Sequence, residues 1–229
     1  MFMNKLISLI LSFSLLGISG CGTSSSPEQT QTPTEKPAET QTAELPAEEN
    51  IKISITLTDG RQMKGELYPD IAPGSVENFV ELINENFFDG LIFHRVIPGF
   101  MIQGGGYDET FYKKNFNSKE TASIKGEFAS NGFENNLKHT RGILSMARTQ
   151  DPDSASSQFF IMHQDAPYLD GEYAAFGKIT EGLEVVDEIA NVKTTALEGT
   201  VLVNGMQYPT QMSDVPEQPI IIKTIDIIE

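Results

Sequence analysis

The chain has 229 residues, of which 32 are Asp or Glu and 16 are Lys or Arg, for a net charge of −16. That acidity excludes nucleic acid as the expected partner, because a polyanion would meet like charge. The one cysteine, Cys21, excludes an intrachain disulfide and a thiolate metal site.

Residues 1–20 have the three parts of a secretory signal: Lys5, an apolar run from Leu6 to Leu16, and Ile18-Ser19-Gly20 ahead of Cys21. Leu6 to Gly20 is 15 residues, fewer than the roughly 20 that a spanning helix requires. The end of this segment resembles the bacterial lipoprotein signal, in which small residues precede a cysteine that receives a diacylglyceryl group and becomes the mature N-terminus. The resemblance implies lipidation at Cys21 and anchorage at the extracytoplasmic face of a bacterial cell membrane. Residues 21–49 hold the cysteine and then Thr, Pro, Glu, Gln and Ala, with almost nothing to bury. Such a segment cannot offset its ordering entropy, so a disordered, semi-extended tether is expected. Residues 22–49 carry six acids and one lysine, and Lys5 is the only charge before them, which leaves −12 on residues 50–229. These 180 residues are enough for one domain with a substantial core.

Within that domain Ile51 to Leu57 alternates at period two, Asp59-Gly60 reads as a hairpin turn, and Gln62 to Leu67 as the returning strand. Pro73 opens a helix with Val76, Phe79, Val80 and Ile83 on one face, and a second helix fits Leu183 to Val192. Short β-like runs occur at Leu91–Phe93, Met101–Gln103, Gly142–Met146, Phe159–Met162, Ala174–Gly177 and Ile220–Ile227. Gly104–Thr140 and Thr194–Gln218 read as long loops, although Val201-Leu202-Val203-Asn204-Gly205 in the second is compatible with an extra hairpin. Many short strands with two helices predict a mainly β fold, a closed antiparallel barrel with helical caps.

Familiar catalytic patterns are missing. His94, His139 and His163 include no close pair and no His-Glu-x-x-His, so no metal is expected. Ser156-Ser157 is not in a Gly-x-Ser-x-Gly elbow. Gly104-Gly105-Gly106 leads into Tyr107-Asp108-Glu109, which would repel a phosphate. What stands out is Arg95, a permanently charged group within Phe93-His94-Arg95-Val96-Ile97-Pro98-Gly99-Phe100-Met101-Ile102-Gln103. A cation in an apolar strand is costly unless it has a partner or a task.

Two later segments complete the picture: Gly142-Ile143-Leu144-Ser145-Met146-Ala147-Arg148-Thr149 with Ser157-Gln158-Phe159-Phe160-Ile161, and Tyr168-Leu169-Asp170-Gly171-Glu172-Tyr173-Ala174-Ala175-Phe176-Gly177. In order, spacing and identity, the three segments resemble the cyclophilin family of peptidyl-prolyl isomerases, over about residues 51–192 plus the final strand. Arg148-Thr149 is similar to the bacterial branch. The resemblance implies an eight-stranded antiparallel barrel capped by two helices, with its active face outside. It implies Arg95 as the catalytic group, and Phe100, Met101, Phe160 and Leu169 as the pocket for the proline ring. Gln103 is then the glutamine that orients the arginine and substrate, Ala147 and Arg148 pair with the peptide backbone, and Gln158 lines the adjoining pocket. His94 matches a position near the site, as neighbour or packing group. Tyr168 and Tyr173 stand where the family often has Trp and His, and Arg148 where Asn is common, so reduced cyclosporin sensitivity and altered substrate preference are expected. From Arg148 a long cation could also reach an acidic substrate. The expected clients are proline-containing exported polypeptides, turned over by a monomer without cofactor. The rival expectation is a non-catalytic holdase that uses the same groove.

Overall fold

The structure, a computed structural model, describes residues 49–113, 121–203 and 206–229. The expected signal peptide and nearly all of the tether, Cys21 included, lie outside the described residues. Strand β1 (Ile51–Leu57) returns as β2 (Gln62–Leu67) through a turn closed by the Gly60 N–H on the Leu57 carbonyl at 3.0 Å. Helix α1 (Pro73–Asn84) follows, then β3 (Leu91–Ile97), β4 (Met101–Asp108), β5 (Ile143–Met146), β6 (Phe159–Met162) and β7 (Ala175–Glu181). Helix α2 (Leu183–Ala190), β8 (Thr194–Val203), β9 (Met206–Pro216) and β10 (Ile222–Ile228) complete the domain.

Eight strands form one antiparallel sheet in the order β10-β1-β2-β7-β5-β6-β4-β3. Its edge strands meet along a short seam. Ile92 bridges Ile221, and the Gly90 and Phe93 N–H groups donate to the Ile222 and Ile220 carbonyls at 2.9 and 3.0 Å. The mainly β barrel with two helices is therefore present, but it is closed by a seam rather than by a full ladder. The apolar face of α1 (Val76, Phe79, Leu82, Ile83) is buried in the core. Phe79 meets Phe88, Phe159 and Phe176 at 4.9, 5.3 and 5.1 Å between ring centroids, so one aromatic cluster ties the helix to the sheet.

Several expected boundaries move: β7 runs four residues past Gly177 to Glu181, and α2 ends at Ala190 rather than Val192. Strand β3 runs on through His94 and Arg95, and β4 runs on through three glycines to Asp108. Glycine is a poor strand former, but here close packing demands it. Gly105 has φ +84°, and a Cβ on it would lie 2.6 Å from the Ser157 carbonyl oxygen. The segment 194–218 is no long loop: β8 and β9 pair as a separate two-stranded hairpin. Its base is anchored by Val215, which is fully buried in a small cluster with Ile92 and Phe111.

Candidate active site

The site is written across the outer face of the barrel. Arg95 on β3 lies opposite Gln103 on β4, Gln103 opposite Phe160 on β6, and Phe160 opposite Ser145 on β5. Cross-strand neighbours on one face have Cβ atoms roughly 5 Å apart, so four distant residues become one row. Period-two alternation explains the row on β6: Phe159 and Ile161 enter the core, whereas Phe160 and Met162 join an outer apolar cluster with Met101 and Leu169.

On β3 the alternation is broken. Phe93 pairs with Gly104 and Arg95 with Gln103, so β3 carries one extra residue there. Phe93 and Val96 both face the core although they are three apart. This bulge turns His94 and Arg95 outward in different directions, as bulges beside functional sites do. Arg95 lines a pocket of ≈ 170 Å³ with Phe100, Met101, Gln103, Ala147, Arg148, Phe160, Leu169 and Tyr173. That volume suits a small ring rather than a drug-sized ligand, whose sites run to about 300–1,000 Å³. A second, polar pocket of ≈ 260 Å³ shares Gln103, Ala147 and Arg148 and adds Thr149, Ser154, Ser156 and Gln158. Together they make an extended groove, apolar at one end. The Gln103 side-chain amide donates to the Gln158 side-chain oxygen at 3.0 Å where the two pockets join.

Four expected members behave differently. His94 is not among the groove residues. It is buried against Tyr107 and Phe111, with ring centroids at 4.7 and 6.1 Å. Burial, aided by the neighbouring Arg95 charge, pushes its pKa down to about 3, so it is neutral and packs. Tyr168, 68% exposed, stands on the rim with its ring 6.0 Å from Phe100. Arg148 does not reach outward. Its guanidinium stacks on Phe128 and Tyr173 at 4.9 and 4.6 Å, and donates to the Glu172 and Thr149 carbonyls at 2.9–3.2 Å. A cation sandwiched in this way is held back from an acidic substrate and serves as a wall of the pocket. Ala147 also gives its N–H to the Gln158 carbonyl at 2.9 Å, so that donor is not open to a peptide.

The supporting layer was not legible in the motifs. Beneath Phe160 lies a buried chain in which Ser145 Oγ is 3.0 Å from His139 Nε2, and His139 Nδ1 is 3.1 Å from Asp170 Oδ1. Burial lowers the His139 pKa against the opposing pull of Asp170, so the ring is neutral: Nδ1–H donates to the carboxylate and Nε2 accepts the serine proton. The partners match those of a serine hydrolase, but Ser145 and His139 are inaccessible, at 0% and 1% exposed. The imidazole instead stacks under Phe160 at 6.1 Å and 20°. The Phe100 turn is fastened similarly, since the Gly99 N–H donates to His163 Nδ1 at 2.8 Å and His163 Nε2 faces Asp187 at 3.3 Å. Among the described residues no group of three His, Cys, Asp or Glu side chains could hold a metal ion.

A profile of the family described as "Cyclophilin type peptidyl-prolyl cis-trans isomerase/CLD" matches residues 51–226. The chain belongs to the cyclophilin-type peptidyl-prolyl cis-trans isomerases. Its reaction is accordingly the interconversion of Xaa-Pro peptide-bond isomers. A peptidyl-prolyl cis-trans isomerase of Acinetobacter baylyi is 47% identical over 168 residues, covering 71% of this chain and 78% of that protein. Peptidyl-prolyl cis-trans isomerase B of Escherichia coli K12 is 41% identical over 170 residues, covering 71% and 91%. Among solved structures, a cyclophilin-type isomerase of Cryptosporidium parvum superposes with TM-score 0.61 at 32% identity, covering 79% of this chain and 99% of that one. In this cyclophilin the tyrosines at 168 and 173 occupy the rim and the wall of the pocket.

Proposed function

We propose that Arg95 accelerates Xaa-Pro isomerisation by stabilising the twisted amide, without a covalent intermediate, and that the clients are exported proteins. Peptide-bond rotation is opposed by a barrier of roughly 18–20 kcal/mol, and an Xaa-Pro bond exchanges unaided in tens to hundreds of seconds. No bond breaks, so the reaction needs neither nucleophile nor proton transfer. In the twisted state the nitrogen lone pair is no longer conjugated, and an N–H donor aimed at it gains strength it lacks in the planar ground state. Arginine stays charged and presents a fork of donors. Each ~1.4 kcal/mol of such preference is tenfold in rate. The observation that carries the reading is the arginine on the lip of an apolar pocket floored by Phe160, Met101 and Leu169.

The signal-like residues 1–20 and Cys21 support a lipid-anchored place at the outer face of a bacterial membrane, with the tether holding the isomerase clear of the surface. Among the described residues no helix is long and apolar enough to cross a membrane. Turnover of an Xaa-Pro peptide by the parent and by Arg95→Ala tests the mechanism: the variant should lose about two or more orders of magnitude while its thermal midpoint is unchanged. Equal rates would remove the arginine from the mechanism. Acceleration of a proline-limited refolding reaction at substoichiometric protein separates an enzyme from a holdase, which cannot turn over.

A further inference from the structure

The arginine has a partner that the motif segments do not contain. Asp214 Oδ2 on β9 lies 3.7 Å from Arg95 Nε, with both side chains part-exposed. Two independent features of the backbone place it there. Thr195 pairs with Val215 and Leu197 with Met212, so β9 puts two residues, Ser213 and Asp214, where β8 puts one. This is a bulge, the device that re-aims a side chain beside a functional site. Asp214 also has φ +59°, the left-handed region, one of only two non-glycine residues with positive φ among the described residues. Aspartate tolerates that region better than most residues, yet a non-glycine residue held there is uncommon and needs its surroundings to hold it. The adjoining Val215 supplies that hold, fully buried against β3 and its neighbours.

We infer that Asp214 is a positioning residue for the isomerase reaction: its carboxylate holds the Nε edge of the Arg95 guanidinium so that the terminal N–H groups face the proline pocket. The inference rests on the isomerase reading. Both partners sit on bulges of neighbouring strands, Arg95 on β3 and Asp214 on β9. A free arginine side chain has several rotatable bonds, and restricting it before substrate arrives reduces what must be ordered in the transition state. The hairpin β8–β9 is thereby part of the machinery, although it lies outside the eight-stranded sheet.

The test uses the full chain with Asp214→Asn, which removes the charge at nearly constant shape, and Asp214→Gly, which suits the left-handed backbone and so protects the fold. Both should lower kcat for an Xaa-Pro peptide by roughly two- to fivefold, the range expected for a part-exposed ion pair, with KM little changed. Raising NaCl to about 1 M, where charges are screened within roughly 3 Å, should bring the parent towards Asp214→Asn and leave the variants flat. A readout independent of turnover is the Nε–H resonance of Arg95, identified by its loss in Arg95→Ala, which should shift in both Asp214 variants. An unmoved resonance, undiminished kcat in both variants, or a kcat loss that only follows a fall in thermal midpoint overturns the inference. A parent that fails to turn over the peptide defeats the isomerase reading instead, and the resonance then decides alone.

Discussion

His94 and Arg95 are adjacent in the chain and opposite in fate. The bulge on β3 sends the arginine to the pocket and the histidine under Tyr107 and Phe111. Buried His94 Nδ1 has no hydrogen-bond partner, and its pKa falls from the ordinary 6.5 to about 3. Below pH 6.5 the unfolded chain therefore binds a proton that the folded chain refuses. The stability this group contributes is present above that pH and is lost as pH falls towards about 3, at up to ~1.4 kcal/mol per unit. His139, also lowered by burial, adds to the same trend. Urea midpoints should fall steadily from pH 7 to pH 4, and His94→Phe should flatten that slope. An identical slope in the variant would show that His94 is not the proton acceptor. At this scale the sequence disclosed identities better than orientations. Arg95, Phe160 and Gln103 were legible as one site because the motif carries them, but neither the burial of His94 nor the folded-back Arg148 follows from residue type.

At the scale of elements, α1 shows how a start signal can come from elsewhere. Pro73 is suited to the first turn, yet Ala72 before it has no side chain to cap the exposed N–H groups. Glu127 does so from a distant loop: its carboxylate accepts from the Gly74 and Ser75 N–H groups at 2.8 Å and from the Ser75 hydroxyl at 2.6 Å. A buried carboxylate is tolerable there because the helix end supplies both donors and positive potential. Glu127→Ala should lower unfolding free energy by about 1–3 kcal/mol, measured by urea denaturation, with peptide turnover at the growth temperature nearly unchanged. An unshifted midpoint would mean that the helix is capped by solvent equally well. Helix and strand positions in the well-patterned stretches, such as Ile51–Leu57 and Phe159–Met162, were legible from periodicity. The glycine run in β4 was not, because glycine gives no period to read, and of the β8–β9 hairpin only the end at 201–205 was, because the rest is mostly polar and exposed. Only the close approach to Ser157, and Val215 with Leu197 and Met212 packing on Ile92 and Phe111, reveal why those segments are strands.

For the whole molecule, the eight strands of the main sheet were legible as eight short β-like runs, but of their pairing order only the β1–β2 hairpin at Asp59-Gly60 was. Sheet order is set by contacts between residues far apart, as with Lys52 opposite Ile228, and local sequence carries no such information. The proposed anchor also belongs to this scale, because it concerns where the entire domain resides. Cys21→Ser should move the protein from the membrane fraction to the soluble fraction without altering peptide turnover. An unchanged distribution would sink the anchor and leave the enzyme intact.

The row that runs Arg95, Gln103, Phe160, Ser145 has a temporal consequence. Its four members lie on β3, β4, β6 and β5, and β5 and β6 are joined by a stretch that must loop out before they can pair. Sheets assembled from such distant contacts form slowly, since loop closure must precede the gain from pairing. A partly synthesised or partly folded chain thus possesses the arginine long before it possesses a catalyst. Activity switches on only with completion of the sheet, so the isomerase stays silent until its own strands have paired.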